Sequence, residues 1–403
     1  MASAIPQGRL PEIVREARAR SGVPAVTAGL LVGGELELAA AGPVEVDTPF
    51  RIASLTKWFT ASLAALLLDL DAPLDDGASA GRLLSHTADL RPSSSEVLPE
   101  PCRGLWSYSN AGYVIAGEAC AATAGTSFSA AVQERLLDPL GLARTSFEEP
   151  PAAARGHVQD GTTGHRLAPD VGYAERRRPA GGLWSTVGDL LRFAKHQLGG
   201  PGPLAPAELR AVQGPRAEAL GGRYCLGCWS RPLAGGRAAL DHEGSVGGFQ
   251  SLLLLVPEER AALAVLTNSW RGSGLIRRVV RELGLVPAPA EGAGAEPVEP
   301  GRYELGLVPA PAEGAGAEPV EPGRYELDDA VAVVRERNGR WRVAESETDP
   351  LSGTRIERPE YAIDALGGGV HGFAGGLLMS HRLDFPRHGV ARVGWTALPA
   401  VMR

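Results

Sequence analysis

The sequence predicts an α/β chain with a helical subdomain in its middle and a small all-β tail. Three observations carry this: strand signals on both sides of a run of helical patterns, an apolar helix from Leu55 to Leu70, and turn-punctuated strand runs after a Pro/Gly-rich stretch. At 403 residues, 44% hydrophobic and 22% charged, the chain suffices for one large domain and a smaller one. Its net charge of −7 and lack of a basic stripe with interleaved aromatics argue against a nucleic-acid partner.

Taken in order, Pro11 to Ser21 reads as an amphipathic helix, and Ala25 to Val32 with Glu35 to Ala41 as two strands across Gly33-Gly34. No basic or strongly apolar leader pattern precedes them, so the expected location is cytoplasmic. The run Ala61 to Leu70 is too short to span a bilayer, which argues against a membrane partner and for a buried core helix. Asp71 to Gly81 is a polar crossing to Leu83-Leu84-Ser85-His86-Thr87, where His86 reads as a structural histidine at a helix end. Helices follow at Ala111 to Cys120, Leu136 to Ser146 and Gly181 to Gln197, the last with Ser185 or Thr186 as N-cap before Asp189. Arg176-Arg177-Arg178 is the one dense basic run and reads first as a solvated loop, with a site for an anionic substrate tail as the alternative.

Strands return at Tyr224 to Trp229, Ala238 to Asp241, Phe249 to Val256 and Ala261 to Leu266, and Gly274 to Leu285 closes this part as a helix. Cys225 and Cys228 match C-x-x-C. Within a continuous strand they would point to opposite faces, which argues against zinc or redox work.

Residues 283–304 recur without change as residues 305–326, and their Pro/Ala/Glu/Gly bias reads as a duplicated tether. Domains are therefore expected at 1–282 and 327–403, with 283–326 between them. In the tail, Ala330 to Arg337, Asn338-Gly339 and Trp341 to Ala344 signal a hairpin, and Leu377 to Leu383 and Val390 to Thr396 are further strands. His371, His381 and His388 lack ligand spacing, so no metal site and no cofactor are expected.

Chemistry concentrates at Ser54 and Lys57. At i, i+3 on a helix they share one face, the geometry of a serine nucleophile with a lysine base. Lys57 and Lys195 are the only lysines. A desolvated lysine can become a neutral base, whereas arginine cannot. Two more constellations follow, Tyr108-Ser109-Asn110 and Asp241-His242-Glu243-Gly244-Ser245.

In order, Ser54/Lys57, Tyr108/Asn110 and His242/Gly244 resemble the S-x-x-K, Y-x-N and K/H-x-G elements of the serine β-lactamase and penicillin-binding-protein superfamily. The nearest branch is that of class C β-lactamases, D-alanyl-D-alanine carboxypeptidases and esterase relatives. DTPFRIASLTK, LLSHTADL, WSYSNAGY, PAGGLWSTVGDLLRF and HEGSVGGF carry the likeness over roughly Ile13 to Asn268. It implies an antiparallel sheet flanked by helices, with a helical subdomain, and an acyl-enzyme on Ser54.

The resemblance further implies that Lys57 and Tyr108 move protons and that Asn110 holds the substrate's acyl-side carbonyl or amide. His242 would position Tyr108 and keep the site electropositive, and Gly244 would let substrate lie on the strand edge. The backbone N–H groups of Ser54 and Ser245 would form the oxyanion hole, typically worth ~3 kcal/mol per donor. Glu243 stands where many relatives have Thr, and is expected to repel a substrate carboxylate and so to disfavour β-lactams and carboxypeptidase substrates. Tether and tail resemble superfamily members with a lipocalin-like C-terminal domain, including thioesterases of penicillin-binding-protein type. The expected function is thus a serine acyl hydrolase or acyltransferase of specialised metabolism, acting on an ester, amide or thioester, free or on a carrier protein. Alternatives are a β-lactamase or D-amino-acid peptidase, and a non-catalytic sensor on the same fold.

Overall fold

The computed structural model describes residues 5–286, apart from 76, 92–94, 99–102, 161–163, 169–171 and 220–221, together with backbone strands between 323 and 399. Two units are distinguished. The first comprises Met1–Ala88, Gly112–Glu218 and Gly222–Pro287; the second comprises Asp89–Ala111, Ala219–Gly221 and Ala288–Arg403.

The first unit is built on an antiparallel sheet. Its strands run in the order Glu35–Ala41, Val26–Val32, Ala261–Thr267, Phe249–Val256, Ala238–Val246, Trp229–Pro232 and Gly222–Tyr224. Val26–Val32 is buried on both faces, which is why it reads as an apolar run interrupted only by the buried Thr27. Val26, Ala28, Leu30 and Val32 join Leu252, Leu254, Leu263 and Val265 in one core with the helices Leu10–Ser21 and Gly272–Glu282. The opposite face takes the helix Val187–Gln197: a methyl group on Gly29 would lie 2.7 Å from Leu191 Cδ1 and 3.4 Å from Val187 Cβ. Antiparallel sheet and flanking helices thus match the expected frame.

Several element bounds differ from expectation. Thr186 is the N-cap, its hydroxyl accepting from Asp189 N–H at 3.2 Å, so the helix starts at Val187 and not at Gly181. The stretch read as a helix from Leu136 instead ends a π-turn, Gln133–Leu137, and a short helical turn that stops at Gly141 in the left-handed region, φ 64°. The strand Ala238–Val246 runs five residues past Asp241, so His242 to Ser245 lie within it and not at its end. Tyr224 to Trp229 is no continuous strand: Gly222–Tyr224 and Trp229–Pro232 are joined by a turn holding both cysteines. There the Cys225 N–H donates to Cys228 O at 2.8 Å, and the two thiols share a hydrogen bond. Opposite-face alternation therefore does not apply to them. Burial pushes the Cys228 thiol well above its ordinary pKa.

In the second unit, Gly323–Leu327, Ala330–Arg337 and Arg340–Thr348 pair antiparallel, with Arg337 opposite Arg340 as the hairpin signal requires. Further strands extend this sheet through Tyr361–Gly367, Val370–Phe373, Arg382–Arg387, Val390–Val393 and Thr396–Pro399. Of the duplicated tether, 287–322 lies outside the described residues, whereas its last four residues, Gly323 to Glu326, already belong to the first strand of this sheet. The turn residues Asn338 and Gly339 and 377–381 of one expected strand also lie outside the described residues. Among the described residues no helix is long and apolar enough to cross a membrane.

Candidate active site

Ser54 sits in a 3-10 turn, Ala53–Leu55, that leads directly into the helix Thr56–Leu67. The turn is tight because Ala53 adopts φ 49°, a left-handed conformation that disfavours a residue with a Cβ. Its surroundings hold it there. Ile52 N–H donates to Leu183 O at 3.0 Å, and Ile52 O accepts from Ser251 Oγ at 2.8 Å. The strand Ala238–Val246 presses on the same place, since a methyl group on Gly244 would lie 2.3 Å from Ile52 O and 3.1 Å from Ala53 Cβ. Glycine there is a packing requirement.

One helical turn on, Lys57 is fully buried and its Nζ lies 3.1 Å from Ser54 Oγ. The same Nζ donates to Ala180 O at 2.5 Å and lies 5.3 Å from the Tyr113 ring centre. Burial, then the charge of Arg177, pushes the Lys57 pKa well below that of a free amine. A neutral Nζ keeps a lone pair for the serine proton, so the pair has the chemistry of an activated nucleophile.

The loop that supplies Ala180 O carries the arginine triplet, and its members differ in environment. Arg176 is exposed and pairs with Glu118 at 3.2 Å. Arg178 pairs with Glu148 at 2.7 Å and donates to Ser129 Oγ at 3.0 Å. Arg177 is the member whose charge reaches Lys57 and Tyr173, whose hydroxyl would meet a methyl group on Gly181 at 2.7 Å. The triplet is therefore more than a solvated loop.

Strand alternation sorts the third motif. His242 and Gly244, opposite Leu253 and Ser251, face the Ser54 turn, whereas Asp241 and Glu243, opposite the core residues Leu254 and Leu252, face the helix Gly272–Glu282. Glu243 therefore feels Arg231 and Arg277, while burial raises its carboxyl pKa. The expectation that it repels a substrate carboxylate fails, because it stands on the far face of the sheet. Asp241 pairs with Arg231 at 3.0 Å, yet burial pushes its pKa up to about 7.

His242 also departs from expectation. It is fully buried; burial and then the Lys57 charge push its pKa down to about 3. A neutral imidazole does not make the site electropositive, and the cation acting on Lys57 is Arg177. His242 Nδ1 lies 2.5 Å from Glu243 O, and Nε2 lies 3.2 Å from Tyr224 Oη. Next to His242, register with Trp229–Pro232 ends at Asp241, so the outer edge from His242 to Val246 has no partner strand among the described residues. Ser245 lies on that edge and accepts from Gln250 Nε2 at 2.7 Å.

Ser54, Lys57, His242, Gly244 and Ser245 thus come together in the first unit. Tyr108 and Asn110 belong to the second unit. There Tyr108 is buried edge-on to Trp106, Ser109 Oγ donates to Arg91 O at 2.7 Å, and Asn110 opens the helix Asn110–Ala124. Tyr224, Ala180, Arg177 and Ser251 were missed in sequence because each acts through tertiary contact. Only Arg177, within the basic triplet, carried a local signal.

The same span that forms this site, residues 10–283, matches the Beta-lactamase family model. This chain belongs to the Beta-lactamase family. Penicillin-binding protein 4 of Amycolatopsis lactamdurans is 27% identical over an alignment of 326 residues that covers 65% of this chain and 85% of that protein. The solved structure of SurE matches with a TM-score of 0.72 at 23% identity, over 97% of this chain and 98% of SurE. D-amino acid amidase from Ochrobactrum anthropi SV3, complexed with L-phenylalanine amide, matches with a TM-score of 0.58 at 24% identity, covering 68% of this chain and 98% of its own. At these identities the structures speak for the fold; the family itself is one of serine hydrolases. A serine hydrolase site needs a nucleophile with a base, and Ser54 Oγ and Lys57 Nζ are a serine and a lysine in contact at 3.1 Å.

Proposed function

We propose that this family member is a serine acyl hydrolase or acyltransferase that cleaves an ester, amide or thioester through an acyl-enzyme on Ser54. The supporting observation is the Lys57 Nζ to Ser54 Oγ contact at 3.1 Å, made by a lysine whose burial favours the neutral amine. Ser54 Oγ attacks the acyl carbon while its proton passes to Lys57 Nζ. The oxyanion is received by the N–H groups of Ser54 and Ser245. Tyr108 serves in proton transfer to the leaving group, and Asn110 holds the acyl-side carbonyl or amide. Water or an amine then takes the acyl group, releasing Ser54. A carrier-bound acyl donor, the cytoplasm and specialised metabolism belong to the same reading.

A second reading, turnover of β-lactams or D-amino-acid amides, gains support from the family match and from the amidase's printed name. The placement of Glu243 behind the sheet removes the charge argument against carboxylate-bearing substrates. Intact-protein mass after incubation with p-nitrophenyl esters, a penicillin and a fluorophosphonate separates these readings. A single adduct, lost in Ser54→Ala, is expected; which acyl donor loads fastest ranks the substrates, and added amines distinguish transfer from hydrolysis. Absence of any adduct across mildly acidic to basic pH would leave a ligand-binding sensor.

A further inference from the structure

A buried chain of rings lies behind Lys57. Tyr113, whose hydroxyl donates to Leu84 O at 2.7 Å, stands 5.2 Å from His86, and His86 stands 4.7 Å from Tyr224 between ring centres. Trp229 closes the other side of Tyr224 at 5.1 Å, nearly perpendicular to it. Tyr224 is fully buried in this setting, with its ring held from two directions and its hydroxyl 3.2 Å from His242 Nε2. His86 keeps a left-handed backbone, φ 62°, to make its contacts.

The hydrogen-bond roles at His242 follow from chemistry. Glu243 O is a carbonyl and can only accept, so His242 Nδ1, 2.5 Å away, carries the ring proton. In a neutral ring Nε2 is then an acceptor, and the partner facing it, the Tyr224 phenol, donates. The surroundings favour neutrality: burial disfavours a charge on the ring more strongly than the Glu243 carbonyl favours one, Arg231 on the neighbouring strand opposes it, and Lys57 on the Ser-Lys helix opposes it whenever its own amine is protonated.

We propose that Tyr224 is a positioning residue for the reaction at Ser54, fixing His242 as the neutral Nδ1–H imidazole with its ring plane set beside Lys57. This deepens the serine acyl-enzyme reading, which it takes as given. A His242 locked in this form adds no second cation beside Lys57 to that of Arg177, so the lysine keeps the basicity it needs for the serine proton. His86 supports the same arrangement by packing on the Tyr224 ring.

The test combines nitrogen NMR of 15N-histidine-labelled protein with acylation kinetics. His242→Asn assigns the signals, and wild type is compared with Tyr224→Phe and with Tyr113→Phe, which removes a buried phenol elsewhere in the ring chain. In wild type, His242 is expected as one neutral tautomer protonated on Nδ1 from pH 5 to 9. Tyr224→Phe is expected to shift the Nε2 signal, and to lower the rate of Ser54 acylation about tenfold with KM nearly unchanged, as loss of one buried hydrogen bond implies. Tyr113→Phe should leave Nε2 where it is. A cationic or Nε2–H His242 in wild type would overturn the proposal, as would an unchanged Nε2 signal in Tyr224→Phe. Because the tautomer is read without substrate, a protein that forms no acyl-enzyme would sink the functional reading and still report on His242.

Discussion

Gly227 lies so close to Lys57 that a methyl group at the glycine would stand 2.5 Å from the lysine's carbonyl oxygen and 2.8 Å from its carbonyl carbon. The turn Cys225–Cys228 is thereby wedged against the first turn of the helix Thr56–Leu67, and Gly227 at φ 77° meets both the conformational and the spatial demand. Gly235 shares the conformation, φ 83°, with nothing within 4 Å. Gly235→Ala is thus expected to cost about 1 kcal/mol from backbone conformation alone, and Gly227→Ala a further ~1–3 kcal/mol from overpacking. Paired urea titrations check this, with equal losses refuting the contact.

Lys57 accepts a proton only when neutral, so acylation should rise with pH through its lowered pKa and level off well before the range of a free lysine. Lys57→Arg keeps the charge but cannot deprotonate, and is expected to lose at least about a thousandfold in acylation rate at every pH. Arg177→Gln removes the cation that opposes Lys57 protonation and should move the acid limb to higher pH. A stopped-flow profile of acylation decides both; an unmoved limb in Arg177→Gln would show that burial alone sets the lysine.

Glu243 and Arg277 attract each other behind the strand, where Arg231 also acts on the carboxylate. Glu243→Gln should lower stability by ~1–3 kcal/mol, since it leaves a largely buried arginine less compensated, while kcat/KM for a carboxylate-bearing ester changes less than about twofold. A tenfold gain on that ester alone would restore the idea of a repelling glutamate in the cleft.

Asp241 binds its proton more tightly in the folded chain, with a pKa of about 7 against an ordinary 3.8. The native state therefore holds more protons between these values, and stability falls as pH rises. Its contribution is complete below the ordinary carboxylate range and lost by the time pH passes about 7. Urea midpoints at pH 5 and 8 measure this, and Asp241→Asn should shrink the difference.

The thiols Cys120, Cys225 and Cys228 are buried, and burial pushes Cys120 up to about 12. Reaction of these three with an aromatic disulfide reagent at pH 8 should be slow in the native protein and fast in urea. Fast native labelling at Cys225 or Cys228, located by peptide mapping, would show that their turn opens.

Local pattern made much of this protein legible. The strands Glu35–Ala41 and Phe249–Val256, the Thr186 cap, the Ser54/Lys57 spacing and the hairpin at Arg337 and Arg340 follow from periodicity, capping and turn chemistry, which act within a few residues. The ordered motifs likewise pointed to the Beta-lactamase family before any fold was known. Tertiary structure decided what those residues face. Alternation separates His242 from Glu243, but only the packing of the helix Gly272–Glu282 on one side and the Ser54 turn on the other says which layer each meets. Only burial beside Arg177 turns Lys57 toward a base, and only the Tyr224 hydroxyl and the Glu243 carbonyl settle the proton on His242. Charge state and hydrogen-bond direction depend on desolvation and on partners distant in sequence, and neither is written in the spacing of a motif.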